Sequence, residues 1–296
     1  MNAYASFSLP FPAPFLRPAW ASKVAGFPLN RLFKFPVPAL FIRPMFGGDE
    51  FIKGISRFCF WVSDSDLAAA NKSKDLCERF QKVKENRLKS QKEDTVSWSS
   101  KPHRFVEIRS PDYEVAMIVP IVSSENRPYL PVGFLPRKAI VNYAFGLYDA
   151  PLWNMALIAS RLHLVWIATV CGKLETRYRY SNTLGWNTFP VPLLTEQNKA
   201  DLTACAEDIL LAREAHFPAT IADLYDPDAM PENLRRAHER NDEVLERIYI
   251  GRRFKNDTER LEKLFELYTK MTAETKVSPA KRTKKTSGLT INLEDI

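Results

Sequence analysis

Glycine is scarce in this chain, 10 in 296 residues, and no GxG triplet occurs. The Gly-rich turn that lets a backbone approach a dinucleotide's phosphates in the G-x-G-x-x-G fingerprint is therefore lacking. No two prolines are adjacent. The four cysteines (Cys59, Cys77, Cys171, Cys205) are scattered, with no CxxC pair and no Cys/His cluster at metal-ligand spacing. Three of them, Cys59, Cys171 and Cys205, sit among apolar neighbours and read as buried thiols of a reduced, cytoplasmic protein. Four histidines form no triad, and Ser123 and Ser124 have no base nearby in sequence. No secretory signal opens the chain, because Pro10, Pro12, Pro14, Pro18, Pro28, Pro36 and Pro38 prevent a continuous helix. A clean membrane span is lacking too. Leu152 to Cys171 is mostly apolar, but it contains Asn154, Arg161 and His163, and a mid-bilayer arginine is expensive. The segment is expected to be a buried helix opened by Pro151, with His163 a structural, hydrogen-bonded histidine.

What is present is a basic surface and enough apolar residues for a core. Net charge is +7, pI about 9.1, and 45% of residues are hydrophobic. That balance favours a polyanionic partner. The pattern predicts an α+β protein in four parts: an irregular Pro/Phe-rich leader over 1–38, a mixed β-rich domain with buried helices over 39–192, a small C-terminal helical domain over 193–273, and a polar, disordered tail over 274–296. Within the second part, Phe41 to Phe51 reads as strand, Gly-Gly turn and helix start, and Arg57–Val62 as a buried strand. Strand-like runs follow at Phe105–Ile108, Glu114–Val122, Tyr129–Leu135 and Ala139–Tyr148. The stretch 64–92 reads as helix, with Leu76, Phe80, Val83 and Leu88 inward. Its Lys82, Lys84, Arg87, Lys89 and Lys92 fit either a solvated face or a phosphate-tracking one. Thr195 caps a helix to about His216, Asp228 and Pro231 open a second, and Asp257 or Thr258 caps a third.

The most informative stretch is Glu175 to Pro192, which gathers Arg177, Arg179, Tyr178, Tyr180, Trp186, Ser181, Asn182 and Asn187. Arginine pairs two-pronged with guanine, asparagine with adenine, and glutamate accepts from cytosine N4. If the segment is extended, Glu175, Arg177 and Arg179 project from one face. The same residues also fit a solvent-facing ion pair on a surface strand. Pro111-Asp112, Glu125 and Arg127 echo a metal-nuclease pattern, but with arginine where a lysine is needed. Arginine stays protonated and serves poorly there, so these read as loop residues.

Four ordered elements carry a family resemblance. They are Phe41-Ile-Arg-Pro-x-x-Gly-Gly-Asp-Glu-Phe51 with Arg57-Phe-Cys-Phe-Trp61; Glu107-Ile-Arg109 with Ile121-Val-Ser-Ser-Glu-x-Arg-x-Tyr-Leu-Pro-Val-Gly-Phe-Leu135; Leu162-His-x-x-Trp166 with Cys171-Gly-x-Leu174; and Arg177-Tyr-x-Tyr-Ser181 with Asn187-Thr-Phe-Pro190. Together they resemble the target recognition domain of MmeI-like, type IIL restriction–modification enzymes, which are DNA adenine methyltransferases that also carry a nuclease. Residues 193–273 resemble the family's C-terminal helical domain. The resemblance implies double-stranded DNA as partner and places Asn142, Glu175, Arg177 and Arg179 at base-contacting positions.

The chain departs from the full-length family in its catalytic part. It has neither the Gly-rich turn for S-adenosylmethionine nor the Asn/Asp-Pro-Pro-aromatic motif that holds a flipped adenine. No catalytic, cofactor or metal residue is therefore expected here. The sequence predicts a DNA-specificity module of a methyltransferase, with the reading frame a fragment of a longer gene. An alternative is an assembly module that docks its C-terminal helices on a separate methyltransferase chain.

Overall fold

The computed structural model describes residues 38–108 and 113–277, so the leader 1–37, the Pro111-Asp112 pair and the tail beyond 277 lie outside the described residues. Three small sheets and ten α-helices fill the described chain, an α+β architecture. Strand β1 (Ile42–Phe46) runs through Gly47 into α1 (Gly48–Lys53), where the Gly47 N–H donates to the Glu50 carboxylate at 2.8 Å. Gly54, at φ +65°, ends that helix in the left-handed conformation that glycine tolerates best. Strand β2 (Phe58–Phe60) returns antiparallel along β1 and is half-buried rather than buried. Helices α2 (Leu67–Ala70), α3 (Lys74–Leu88) and α4 (Glu93–Ser97) follow, and Leu76 and Phe80 join Phe41, Val62 and Ala70 in a separate small cluster.

Two sequence expectations fail here for visible reasons. Phe105–Ile108 is not a strand. The Arg87 guanidinium donates to the carbonyls of Trp98, Lys101 and Arg104 at 2.6–2.9 Å, which holds the preceding segment in turns while Phe105 stacks on Trp61. That grip also removes Arg87 from the basic face of α3, leaving Lys82, Lys84, Lys89 and Lys92 exposed.

Strand β3 (Ala116–Pro120) is fully buried between β5 (Gly133–Leu135) and β7 (Ala144–Tyr148), antiparallel to both. The expected strand from Tyr129 shortens to β5 because Pro128 and Pro131 cannot donate to a ladder. Strand β6 (Ile140–Val141) pairs parallel with β1, so the 140–148 segment stitches the first sheet to the second. At Ile121 the chain leaves β3 and enters β4 (Val122–Ser123), an edge of the third sheet. That sheet has the order β4–β9–β8, with β8 spanning Gly172–Leu174 and β9 Arg177–Arg179.

The apolar segment after Pro151 is two helices, α5 (Trp153–Ile158) and α6 (Arg161–Val170), not one. Ser160 makes the break. Its hydroxyl donates to Leu157 O at 2.7 Å and accepts from the His163 N–H at 3.1 Å, ending one helix and capping the next. No helix among the described residues is long and apolar enough to cross a membrane. Arg161 is instead paired with Asp257 of the last helix, Nε to Oδ1 at 3.2 Å.

Helices α7 (Glu196–Glu214), α8 (Ile221–Leu224), α9 (Glu232–Ile250) and α10 (Asp257–Val277) complete the fold. Thr195 caps α7 in a reciprocal box with Asn198, both bonds 3.1 Å. The cap of α10 is Asn256, which accepts from the Glu259 N–H at 2.9 Å; Asp257 is occupied by Arg161 and Arg260. Leu202, Ala206, Ile209, Leu234 and Leu245 are buried in one cluster with Met117 and Val119 of β3 and Met155 and Leu162 of α5 and α6. The helical region and the sheet region thus share a core. Arg213 crosses between them, its buried guanidinium donating to Tyr225 Oη and, at 2.6 Å, to Val132 O.

The third sheet rests on α6. The Tyr180 ring is buried and its hydroxyl lies 3.0 Å from His163 Nε2, while Phe189 and Trp186 pack edge-on against the same imidazole. Residues Asn182–Trp186 form a wide helical turn, capped by Ser181. The turn brings Gly185 so close to α6 that a Cβ there would meet Cys171 Sγ at 3.1 Å and Ile167 Cγ2 at 3.2 Å.

Burial keeps His163 neutral, with its pKa pushed down from 6.5 to about 3. Between those values the unfolded chain binds a proton that the folded chain refuses, so stability is lost as pH falls through this window. Buried His238 acts in the same direction, whereas Asp242, raised by burial to about 7, acts in the opposite one. His163→Gln isolates one term: its stability should fall less than that of the parent between neutral pH and pH 5, by about 2 kcal/mol, in urea unfolding at several pH values. Parallel curves would contradict a neutral buried His163. Gly185→Val should cost about 1–3 kcal/mol by overpacking, read as a lowered thermal midpoint, whereas Gly172→Val, which meets nothing within 4 Å of its Cβ, should not lower it. Equal midpoints for the two variants would contradict the clamp on α6.

Candidate nucleic-acid interface

Strand β9 has two chemically distinct faces because side chains alternate along a strand. Tyr178 packs toward the main core, and Tyr180, just past the strand, is buried. Arg177 and Arg179 therefore point the other way and are exposed. Cross-strand register completes that outer face. Arg177 lies opposite Leu174, and Arg179 lies opposite Gly172 on one side and Val122 on the other. Gly172 has no side chain and open space above it, so the Arg179 guanidinium has free room on its β8 side.

Glu175 departs from the expected extended face. It is the first residue of the two-residue turn joining β8 to β9 and sits at φ +59°, the left-handed conformation such hairpin turns use. Its carboxylate still reaches Arg177, Oε2 to Nη2 at 2.6 Å, with Glu175 76% and Arg177 44% exposed. An ion pair so open to water contributes only about 0–1 kcal/mol. Arg177 can leave it at little cost. Arg179 makes no ion pair with any described residue. The two guanidiniums are thus unequal: one is masked by an acid on the hairpin tip, the other is free. Near the same tip Thr176 donates to Glu125, which holds the Glu125 carboxyl below its usual range.

Asn142 sits in the short connection between β6 and β7 and is half-buried. Its N–H donates to Phe46 O at 2.7 Å, and its amide nitrogen lies 3.7 Å from the Met45 sulfur. The β3 to β4 passage brings Asn142 and Arg179 to the same end of the molecule. Ala144, two residues after Asn142, pairs with Pro120 at the end of β3; one residue later Ile121 accepts from the Tyr180 N–H at 2.7 Å, and Val122 pairs with Arg179. Sequence reasoning missed Leu174 and Tyr143 as neighbours of these residues. Cross-strand partners become visible only once the turn at 175–176 fixes the register.

Of the metal-nuclease echo, Pro111-Asp112 lies outside the described residues. Arg127 is half-buried with Nη1 3.5 Å from Ser123 Oγ, and no group of three His, Cys, Asp or Glu side chains among the described residues could hold a metal ion.

Comparison with known proteins closes on one family. The MmeI target recognition domain matches residues 31–193, and the MmeI C-terminal domain matches residues 194–276. DNA methyltransferase A of Bacillus subtilis (strain 168) is 35% identical over 240 residues, covering 81% of this chain and 27% of that protein. A solved structure of the Type IIL restriction–modification enzyme MmeI in complex with DNA matches with a TM-score of 0.75 at 35% identity, over 79% of this chain and 31% of that one. This chain therefore spans less than a third of either relative, and it belongs to the MmeI family, of which it carries the target recognition domain and the C-terminal domain.

Proposed function

We propose that this chain is the DNA-specificity part of an MmeI-type adenine-N6 methyltransferase and reads duplex sequence with Arg177, Arg179, Glu175 and Asn142. The observation that carries this reading is the outer face of β9. It holds two exposed arginines in fixed register above an inner face locked into the core. Alternate residues on a strand are about 6.6 Å apart, close to two steps of about 3.4 Å along a nucleic-acid strand. Each guanidinium could then address its own base, with a two-pronged hydrogen bond to guanine the most favourable pairing. Glu175 either accepts from a cytosine amino group or holds Arg177 in line. Exposed Lys82 and Lys84 of α3, with Lys89 and Lys92 just beyond its end, would supply sequence-independent phosphate contacts. We assign base recognition to 39–192 and a supporting role to 193–273. S-adenosylmethionine and the transfer chemistry belong to a catalytic part of the full-length family, acting in the cytoplasm, that the motifs in these residues do not provide.

The assembly reading is less well supported. The apolar stripes of α7 and α9 are buried against the chain's own β3, α5 and α6, so they do not call for a separate methyltransferase chain to cover them.

Selection from a random duplex pool, followed by binding at two salt concentrations, tests the proposal. Arg179→Ala and Arg177→Ala should each relax preference at one base position, at a cost of about 1–3 kcal/mol for the preferred base. Both sit at the surface and should leave thermal stability within about 0.5 kcal/mol of the parent. Equal loss on all sequences would reduce the pair to phosphate contacts and contradict base reading.

A further inference from the structure

Beside Asn142, the structure holds an aromatic ring in a place that packing does not explain. Tyr143 is 83% exposed, the most exposed aromatic side chain among the described residues, and it joins none of the three hydrophobic clusters. Its backbone is left-handed, φ +55°. Glycine or asparagine adopts that conformation easily, whereas a bulky residue there carries strain. The fold thus holds a large apolar ring in water on a backbone that disfavours it.

The support beneath the ring is stiff. Asn142 is fixed to Phe46 O, and Ala144 enters the β3–β7 ladder opposite Pro120. Gly47 lies so close under the turn that a Cβ on it would come within 2.6 Å of Asn142 O. Tyr143 is therefore flanked by the hydrogen bond of Asn142 on one side and by the β3–β7 ladder on the other, and it faces solvent at the same end of β3 as Arg179.

We propose that Tyr143 is a wedge that inserts between neighbouring bases of the bound duplex and opens one base step. This rests on the base-reading role of the β9 face and extends it. An aromatic ring on a rigid tip covers an unstacked base at little loss of its own freedom, and stacking of this kind tolerates any base. Apolar wedges open a step and bend the duplex, giving a protein more surface to contact. The phenolic oxygen can stay in water or meet the sugar edge, so phenylalanine should substitute for tyrosine and glycine should not.

The test uses the full chain and a duplex selected for binding, with 2-aminopurine placed at each position in turn. The parent and Tyr143→Phe should raise emission at one step. Tyr143→Gly should lose that rise and bind the same duplex about tenfold more weakly. Its thermal midpoint should be unchanged or higher, because glycine relieves the left-handed backbone, which separates lost wedging from lost folding. Sequence-specific binding by Tyr143→Gly with the parental affinity and emission profile would overturn the wedge and leave base reading standing. Binding without any sequence preference by the parent would overturn both.

Discussion

The hydrogen bond between Tyr180 and His163 fixes everything the outer face of β9 can do. Side chains alternate with a period of two, so a slip of one residue would turn Arg177 and Arg179 inward and Tyr178 outward. A three-residue strand in a small sheet does not hold its own register strongly. Here register is imposed from below. Tyr180 is buried against an imidazole that is itself enclosed by Phe189 and Trp186. Burial keeps that imidazole uncharged. The arginines are therefore presented by an apolar anchor, Arg177 in an exposed ion pair with Glu175 and Arg179 in no ion pair with any described residue.

Charge on this face is graded rather than simply positive. Glu175 offsets Arg177 from the tip of the hairpin, while Arg179, beside side-chain-free Gly172, is open. The guanidinium that must leave a carboxylate discriminates differently from one that has nothing to leave. Under the proposed base reading, a wrong base opposite Arg177 would return it to Glu175 at little penalty, whereas a wrong base opposite Arg179 would leave a desolvated charge without a partner, which is expensive. The proposed reading thus gives the two positions unequal stringency.

Much of this was legible in the sequence, and the failures have physical causes. The Thr195 cap and the helices that became α7 and α9 were readable because capping signals and helical periodicity are local. Arg177 and Arg179 could be placed on one face for the same reason. Glu175 could not, because the turn that removes it from the strand is set by pairing of β8 with β9. The Ser160 break inside an apolar run was hidden because a serine hydroxyl fits equally well within a helix or at its end. Phe105–Ile108 has strand composition, but Arg87, seventeen residues before Arg104, holds the carbonyls just ahead of it in turns. The passage from β3 through Ile121 into β4, which carries Asn142 and Arg179 to one end, leaves no sequence signal at all.

Interference by methylation of guanine N7 tests the central claim most directly, because that atom lies in the major groove and accepts from arginine. A selected duplex, sparsely methylated at N7, is bound by the parent chain and by Arg179→Ala, and bound and free fractions are compared. Base reading from the β9 face predicts that methylation of one or two particular guanines excludes the duplex from the parent complex and that at least one of these exclusions disappears with Arg179→Ala. An identical interference pattern for the two proteins, or none for either, would contradict it.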